Sequence, residues 1–198
     1  MLILASASPR RRELLRAAGI RHRIIPHAAA EPGATGQGLR YSALVQRAAL
    51  AKAQSVARAE GGLVLGADTL VVCRGLVLGK PADEQDARRM LQWLSGRRHY
   101  VYTGLALVEG GRRMTAYERT EVAFRKLSNR EIDAYVGTGE PAGKAGAYAI
   151  QGRGAALVRE IRGCYTNVVG LPLPKLMEML AAFGTEAAAA AAPLRGEV

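Results

Sequence analysis

Aromatic residues, lysine and cysteine are all scarce in this chain, and long apolar runs are absent. Phe, Trp and Tyr together make up 5% of its 198 residues. Modules that hold single strands stack bases on exposed aromatics, so this scarcity weighs against a nucleic-acid-binding module. The two cysteines, Cys73 and Cys164, lie far apart and outside any CxxC or Cys/His spacing, which argues against a disulfide framework and a structural zinc site. No apolar run reaches the ~18 residues a membrane span needs. No basic stretch precedes the first apolar residues, and arginines follow them at once, so no secretory signal is expected and a soluble cytoplasmic protein is. The three histidines, His22, His27 and His99, have no motif context, and no Ser/His/Asp set is present.

What the chain does have is positive charge. Lys and Arg number 28 against 17 Asp and Glu, a formal net charge of +11. Such a balance favours polyanionic ligands without choosing among nucleic acid, nucleotides and an acidic membrane surface. Hydrophobic content is 49%, enough for one globular domain with its own core.

Three of the arginines are consecutive, in LASASPRRREL. Ser8 is a good N-cap and Pro9 a good first helical residue, so a helix is expected to start here. Arg10, Arg11 and Arg12 then crowd a helix end that already carries partial positive charge. They suit a phosphate-bearing ligand, or else are surface charge. Only five of the basic residues are lysines: Lys52, Lys80, Lys126, Lys144 and Lys175. In an arginine-rich chain a lysine can mark a place that needs a compact ammonium. Lys80 in LGKPAD and Lys144 in GKAGAY are both flanked by glycine. Asp68, in LVLGADTLVV, falls between two apolar segments read as separate strands, and is either a turn former or a site residue at a strand end. Glu31, in an Ala-rich loop, is the second acidic candidate. GEPAGKAGAYAIQGRGA, residues 139–155, has five glycines, and is either a backbone cradle or an ordinary mobile loop. It fits neither a P-loop nor a dinucleotide fingerprint.

The pattern along the chain predicts strands at MLILA and RHRIIPHA, helices over 9–18 and 41–60, and a strand–turn–strand around CRG. A helix capped by Asp83, a hairpin around Gly110 and Gly111, and a helix with a Ser128/Glu131 capping box follow. AALVREIRG reads as a strand and LPLPKLMEMLAAF as a final helix. Alternating strands and helices followed by a hairpin give a mixed α/β sheet with helices on its faces. Residues 1–184 form one expected domain, and the Ala-rich 185–198 a frayed tail. Basic residues, one or two carboxylates and a glycine-rich loop together suit polyphosphate chemistry.

SASPRRREL, GADTLVV, LGKPAD, LSGRRHYVYTGLAL, KAGAYAIQG and VVGLPL, in this order, resemble the Maf family of nucleoside triphosphate pyrophosphatases from residue 2 to about 183. The resemblance implies an inosine-triphosphatase-like (Maf/Ham1) mixed sheet with flanking helices and two lobes around a central cleft. It implies hydrolysis of the α–β phosphoanhydride to a nucleoside monophosphate and pyrophosphate, with a divalent cation, Mg²⁺ or Mn²⁺. Asp68 corresponds to the proton acceptor, and Ser8, Arg11, Lys52 and Lys80 to the phosphate site. Glu31 corresponds, with Asp68, to the metal site, although the family's Asp-Glu pair is Ala30-Glu31 here. Arg10, Thr69 and Gln151 resemble the dTTP/UTP branch, whereas the 7-methyl-GTP branch has Trp, Gln and Glu at these places. Gln151 offers a donor and an acceptor, as a uracil or thymine edge requires. The expected partner is a nucleoside triphosphate, with no stable nucleic-acid binding and no membrane, and a homodimer is compatible with the family. The family is also associated with nucleotide-pool cleaning, septum formation and cell-division arrest.

Overall fold

Leu2–Leu4 is wholly apolar and forms β1, buried at every position. In the computed structural model, which describes residues 1–27 and 40–184, β1 lies between two parallel neighbours. One is β2 (His22–Ile24), shorter than the eight-residue segment expected from sequence. The other is β3 (Val64–Cys73). Helix α1 (Pro9–Ala17) connects β1 to β2, and α2 (Tyr41–Ala57) precedes β3. The first crossover therefore moves to one side of β1, and the chain then returns to the other side. Such a reversal leaves a crevice at the carboxyl end of the central strand, where ligands bind in open α/β sheets.

Beyond β3 the sheet is antiparallel. β4 (Leu76–Leu78) folds back on β3 after a turn at Arg74 and Gly75, both with positive φ. Helix α3 (Glu84–Leu94) follows, with the Asp83 carboxylate accepting from the Asp86 N–H. Then come the long hairpin of β5 (Arg98–Glu109) and β6 (Arg112–Phe124), and α4 (Asn129–Val136) with the expected capping box. Two 3₁₀ turns, at Ala145–Ala147 and Gly152–Leu157, lead to β7 (Val158–Arg162). The short α5 (Tyr165–Val169) and α6 (Leu173–Phe183) complete the described chain. The sheet order is β2-β1-β3-β5-β6-β7, with β4 also on β3.

Helices cover the sheet on two faces. Ala49, Ala53 and Val56 of α2 pack on Ile3, Val64, Ala106 and Val108. A larger core on the opposite face joins Leu14 and Leu15 of α1 to Leu91, Ile132, Leu176 and Phe183 of α3, α4 and α6. The contact with α2 is close because two facing strand positions carry no side chain. A Cβ on Gly66 would stand 2.1 Å from the Ala49 carbonyl oxygen, and one on Gly104 would stand 2.2 Å from that of Val45. Real Cβ atoms do not approach so near, so these glycines set the depth at which α2 sits.

Two expectations need correcting. Asp68 is not at a strand end between two strands, because Val64–Cys73 is one continuous ten-residue strand with Asp68 in its middle. Gly66, in the same strand, admits helix α2. The helix expected over 41–60 ends at Ala57. The loop containing Glu31 (28–39) and the Ala-rich 185–198 lie outside the described residues. Among the described residues, no helix is long and apolar enough to cross a membrane.

Candidate active site

β5 pairs with β3 from Val64 to Val72, so one edge of β3 is fully occupied. The other edge is shared. β1 pairs with Val64 and Leu65, and β4 with Val71 to Cys73. The interval Gly66–Leu70 has no strand neighbour on that side, and a cleft of about 590 Å³ opens there. Adjacent strand residues face opposite ways. At this open edge both Asp68, on the α2 face, and Thr69, on the other, reach the lining.

The cleft gathers most of the described residues singled out in the sequence, but not Lys126, Lys144 or Lys175. Ser8, Arg10, Arg11, Lys52, Asp68, Thr69, Lys80 and Gln151 all line it. Arg12 is exposed and does not, so two of the three consecutive arginines belong to the site. Glu31 lies in 28–39, outside the described residues.

Asp68 is paired. Lys52 Nζ stands 2.6 Å from Asp68 Oδ1, with the lysine side chain 5% exposed and the carboxylate 19%. Lys52 is one turn beyond Ala49, the residue whose carbonyl meets Gly66, so the seating of α2 delivers its ammonium to Asp68. A buried cation and anion that meet at this distance offset each other's desolvation.

Among the described residues, three acceptors hold Arg11. Its Nε donates to the Gly170 carbonyl at 2.9 Å, and its two terminal nitrogens donate to Ser6 Oγ and Thr69 Oγ1, each at 3.2 Å. The planar fork is thus oriented by groups from β1's end, β3 and the turn after α5. Thr69 Oγ1 is also 3.0 Å from Thr103 Oγ1, and Thr103 donates to the Asn167 carbonyl at 3.2 Å. Asn167 is fully buried and donates to Val101 O and Thr120 Oγ1. A polar network therefore runs behind Arg11 across three strands.

Ser8 occupies the N-cap position of α1, as expected, but its side chain makes no capping bond; its N–H donates to Ser6 Oγ at 3.2 Å. The hydroxyl lines the cleft instead. The first turn of α1 contains no acidic residue. Arg10 is half-buried, and burial lowers its pKa, with Tyr135 and Glu13 nearby acting the other way. Lys80 follows β4. Its neighbour Gly79 accepts from the Gly146 N–H at 3.0 Å, which docks the glycine-rich segment beside the cleft. Gly146 has φ of 72°, and a Cβ there would press on Val71 at 3.0 Å, so this glycine is required twice over.

Tyr148 lines the cleft, and its hydroxyl lies 2.8 Å from Nε2 of the fully buried His99. Burial lowers the His99 pKa to about 4. Phe124 packs edge-on against both rings. Ser6, His27, Tyr148 and Gly170 line the cleft without having been singled out. Ser6, Tyr148 and Gly170 lie inside SASPRRREL, KAGAYAIQG and VVGLPL, so the motifs could have found them, whereas His27 lies outside any motif; Gly170 acts through its backbone.

A cleft with one lysine-paired carboxylate, an oriented arginine, further cations and a serine hydroxyl is built for polyphosphate. A family model described as Maf-like protein matches residues 1–183. A relative from Moorella thermoacetica (strain ATCC 39073 / JCM 9320) is 54% identical over 188 residues, covering 93% of this chain and 96% of its own, and is named dTTP/UTP pyrophosphatase. A relative of the same name from Pelotomaculum thermopropionicum (strain DSM 13744 / JCM 10971 / SI) is 50% identical over 92% of this chain and 96% of its own. The solved structure of a HAM1 protein from Coxiella burnetii matches over 91% of this chain and 98% of that one, with a TM-score of 0.54 and 16% identity, a likeness of fold. The mixed sheet and its flanking helices are therefore the Ham1-type fold, and the chain belongs to the Maf family.

Proposed function

We propose that this protein is a nucleoside triphosphate pyrophosphatase that hydrolyses dTTP and UTP to the nucleoside monophosphate and pyrophosphate. The observation that carries the reading is the close Lys52–Asp68 pair in a cleft that Arg10, Arg11 and Lys80 also line. The name shared by relatives 50% and 54% identical supports the substrate class.

In the proposed reaction a water oxygen attacks the α-phosphorus. The bond from that phosphorus to the α–β bridging oxygen breaks, and pyrophosphate leaves. Asp68 takes the water's proton, and Lys52 fixes the carboxylate through Oδ1. Arg11, Lys80 and the Ser8 hydroxyl hold phosphate oxygens and offset the charge that builds on the leaving group. Thr69 acts through Arg11, whose terminal nitrogen it receives. Among the described residues no three His, Cys, Asp or Glu side chains gather as a metal site. One cleft carboxylate fits a hard cation that takes most of its ligands from phosphate oxygens and water. Asp68, with Glu31 as the second carboxylate, would hold Mg²⁺ or Mn²⁺, which when bound neutralises phosphate charge.

Base choice falls to Gln151 and Arg10. Uracil and thymine share an acceptor–donor–acceptor edge, which one amide meets in part. Cytosine replaces an acceptor with a donor and would leave polar groups unpaired. The test is pyrophosphate release across dTTP, UTP, CTP, ATP, GTP and 7-methyl-GTP. Release from dTTP and UTP ahead of the others is expected. Faster cleavage of 7-methyl-GTP than of dTTP would overturn the dTTP/UTP branch marked by Arg10, Thr69 and Gln151, and with it base choice by Arg10 and Gln151. Tight oligonucleotide binding without any release would overturn the enzyme reading.

A further inference from the structure

Gln151 stands between two anchored pieces of backbone. Two residues before it, the Ala149 N–H donates to the Tyr135 hydroxyl at 3.1 Å. Just after it, the N–H groups of Arg153 and Gly154 donate to Glu140 Oε2 and Oε1 at 3.1 and 2.9 Å. The two anchors are themselves joined, because the Tyr135 hydroxyl donates to Glu140 Oε1 at 2.8 Å. Tyr135 is buried on α4, whose start is fixed by its capping box. Glu140 is tied to the same helix end. Its N–H donates to Thr138 Oγ1, and the Thr138 hydroxyl donates to the Tyr135 carbonyl.

Gly152 and Gly154, which flank Arg153, sit where a side chain would collide with the clamp. A Cβ on Gly152 would lie 2.8 Å from Glu140 Oε2, and one on Gly154 would lie 2.1 Å from the Ala149 carbonyl oxygen. Burial opposes charge on Glu140, but the bonds from Tyr135, Gly154 and Arg153 outweigh it and keep its pKa below the ordinary value. The acceptor is thus a carboxylate, and bonds from N–H to an ionised oxygen are the strong ones. Tyr135 also neighbours Arg10, the other residue assigned to base choice.

We propose that Glu140 and Tyr135 form a clamp that positions Gln151 against the pyrimidine, so that Glu140 is a specificity-positioning residue without touching substrate. The inference rests on Gln151 reading the base. Loosening the clamp leaves the phosphate machinery in place and blurs the discrimination between bases.

Glu140→Gln and Tyr135→Phe test this beside wild type and Gln151→Ala, with folding checked by circular dichroism. The first readout needs no substrate: the rate of limited trypsin cleavage after Arg153, which is exposed. The second is kcat and KM for dTTP and dCTP. Removing one bond to a charged group predicts cleavage about tenfold faster or more, and a dTTP-over-dCTP ratio of kcat/KM lower by about tenfold. The loss for dTTP should appear in KM with kcat largely kept. If Glu140→Gln fails to fold, Tyr135→Phe keeps the ring and carries both readouts. Wild-type cleavage and selectivity in the folded clamp variants overturn the clamp, provided Gln151→Ala loses selectivity. Unchanged selectivity in Gln151→Ala instead overturns base reading by Gln151, and with it the positioning role. Faster cleavage with unchanged selectivity in the clamp variants also overturns the positioning role.

Discussion

Replacing Lys52 with Met keeps the length of the side chain and deletes its charge. In the native protein the ammonium, 5% exposed, stands 2.6 Å from an Asp68 carboxylate that is 19% exposed. Breaking a fully buried pair by removing one partner costs ~3–5 kcal/mol, because the other charge is left unpaired. Asp68 is only partly buried and keeps some contact with the cleft, so the cost falls to or below the bottom of that range, about 2–3 kcal/mol. A domain of this size loses ~2–4 °C of Tm per kcal/mol, which gives a fall of about 4–12 °C. Thermal unfolding followed by circular dichroism measures it. The decisive comparison is the double variant Lys52→Met/Asp68→Asn. Removing the second charge as well should recover most of the lost stability, although neither variant turns over substrate normally. A double variant no more stable than Lys52→Met would refute the view that the cost arises from an unpaired Asp68.

Gly104→Ala should destabilise by about 1–3 kcal/mol or more and lower activity, since its Cβ would collide with the Val45 backbone and lift α2, and Lys52 with it, off the sheet; native Tm and kcat would show that α2 is not so constrained. His99 gives a pH dependence. Its pKa is about 4 in the fold against an ordinary 6.5, so between these values the unfolded chain binds more protons. Stability from this group is complete above about pH 6.5 and falls as the pH drops toward 4, by about 3 kcal/mol in all at ~1.36 kcal/mol per pH unit. His99→Phe should remove that part of the acid sensitivity in urea unfolding at pH 4 to 7. An unchanged slope would locate it elsewhere.

Much of the fold was legible because its signals are local. The Ser128/Glu131 capping box, Asp83 and the paired glycines of the β5–β6 hairpin each specify one element through nearby backbone bonds. Candidate residues were legible by type: those the family resemblance assigned line one cleft where described, whereas Lys144, marked by its flanking glycine, does not. What could not be read was tertiary. GADT looks like a strand end because Gly and Asp usually break strands, yet here Gly66 admits a helix and Asp68 meets a lysine from it. The side chains of Asn167 and His99 act through hydrogen-bond partners more than forty residues away, and spacing carries no trace of that. The short α5 escaped notice because five residues do not display a helical period.

The most direct test of the proposed chemistry is pyrophosphate release from dTTP by wild type and by Asp68→Asn, with divalent cation present and folding of both verified. Asn keeps the shape of the side chain but cannot accept the water's proton, so turnover should fall by about two to four orders of magnitude, the scale of a lost general base. Wild-type turnover by folded Asp68→Asn protein would contradict the assignment of Asp68, and with it the catalytic role of its pair with Lys52.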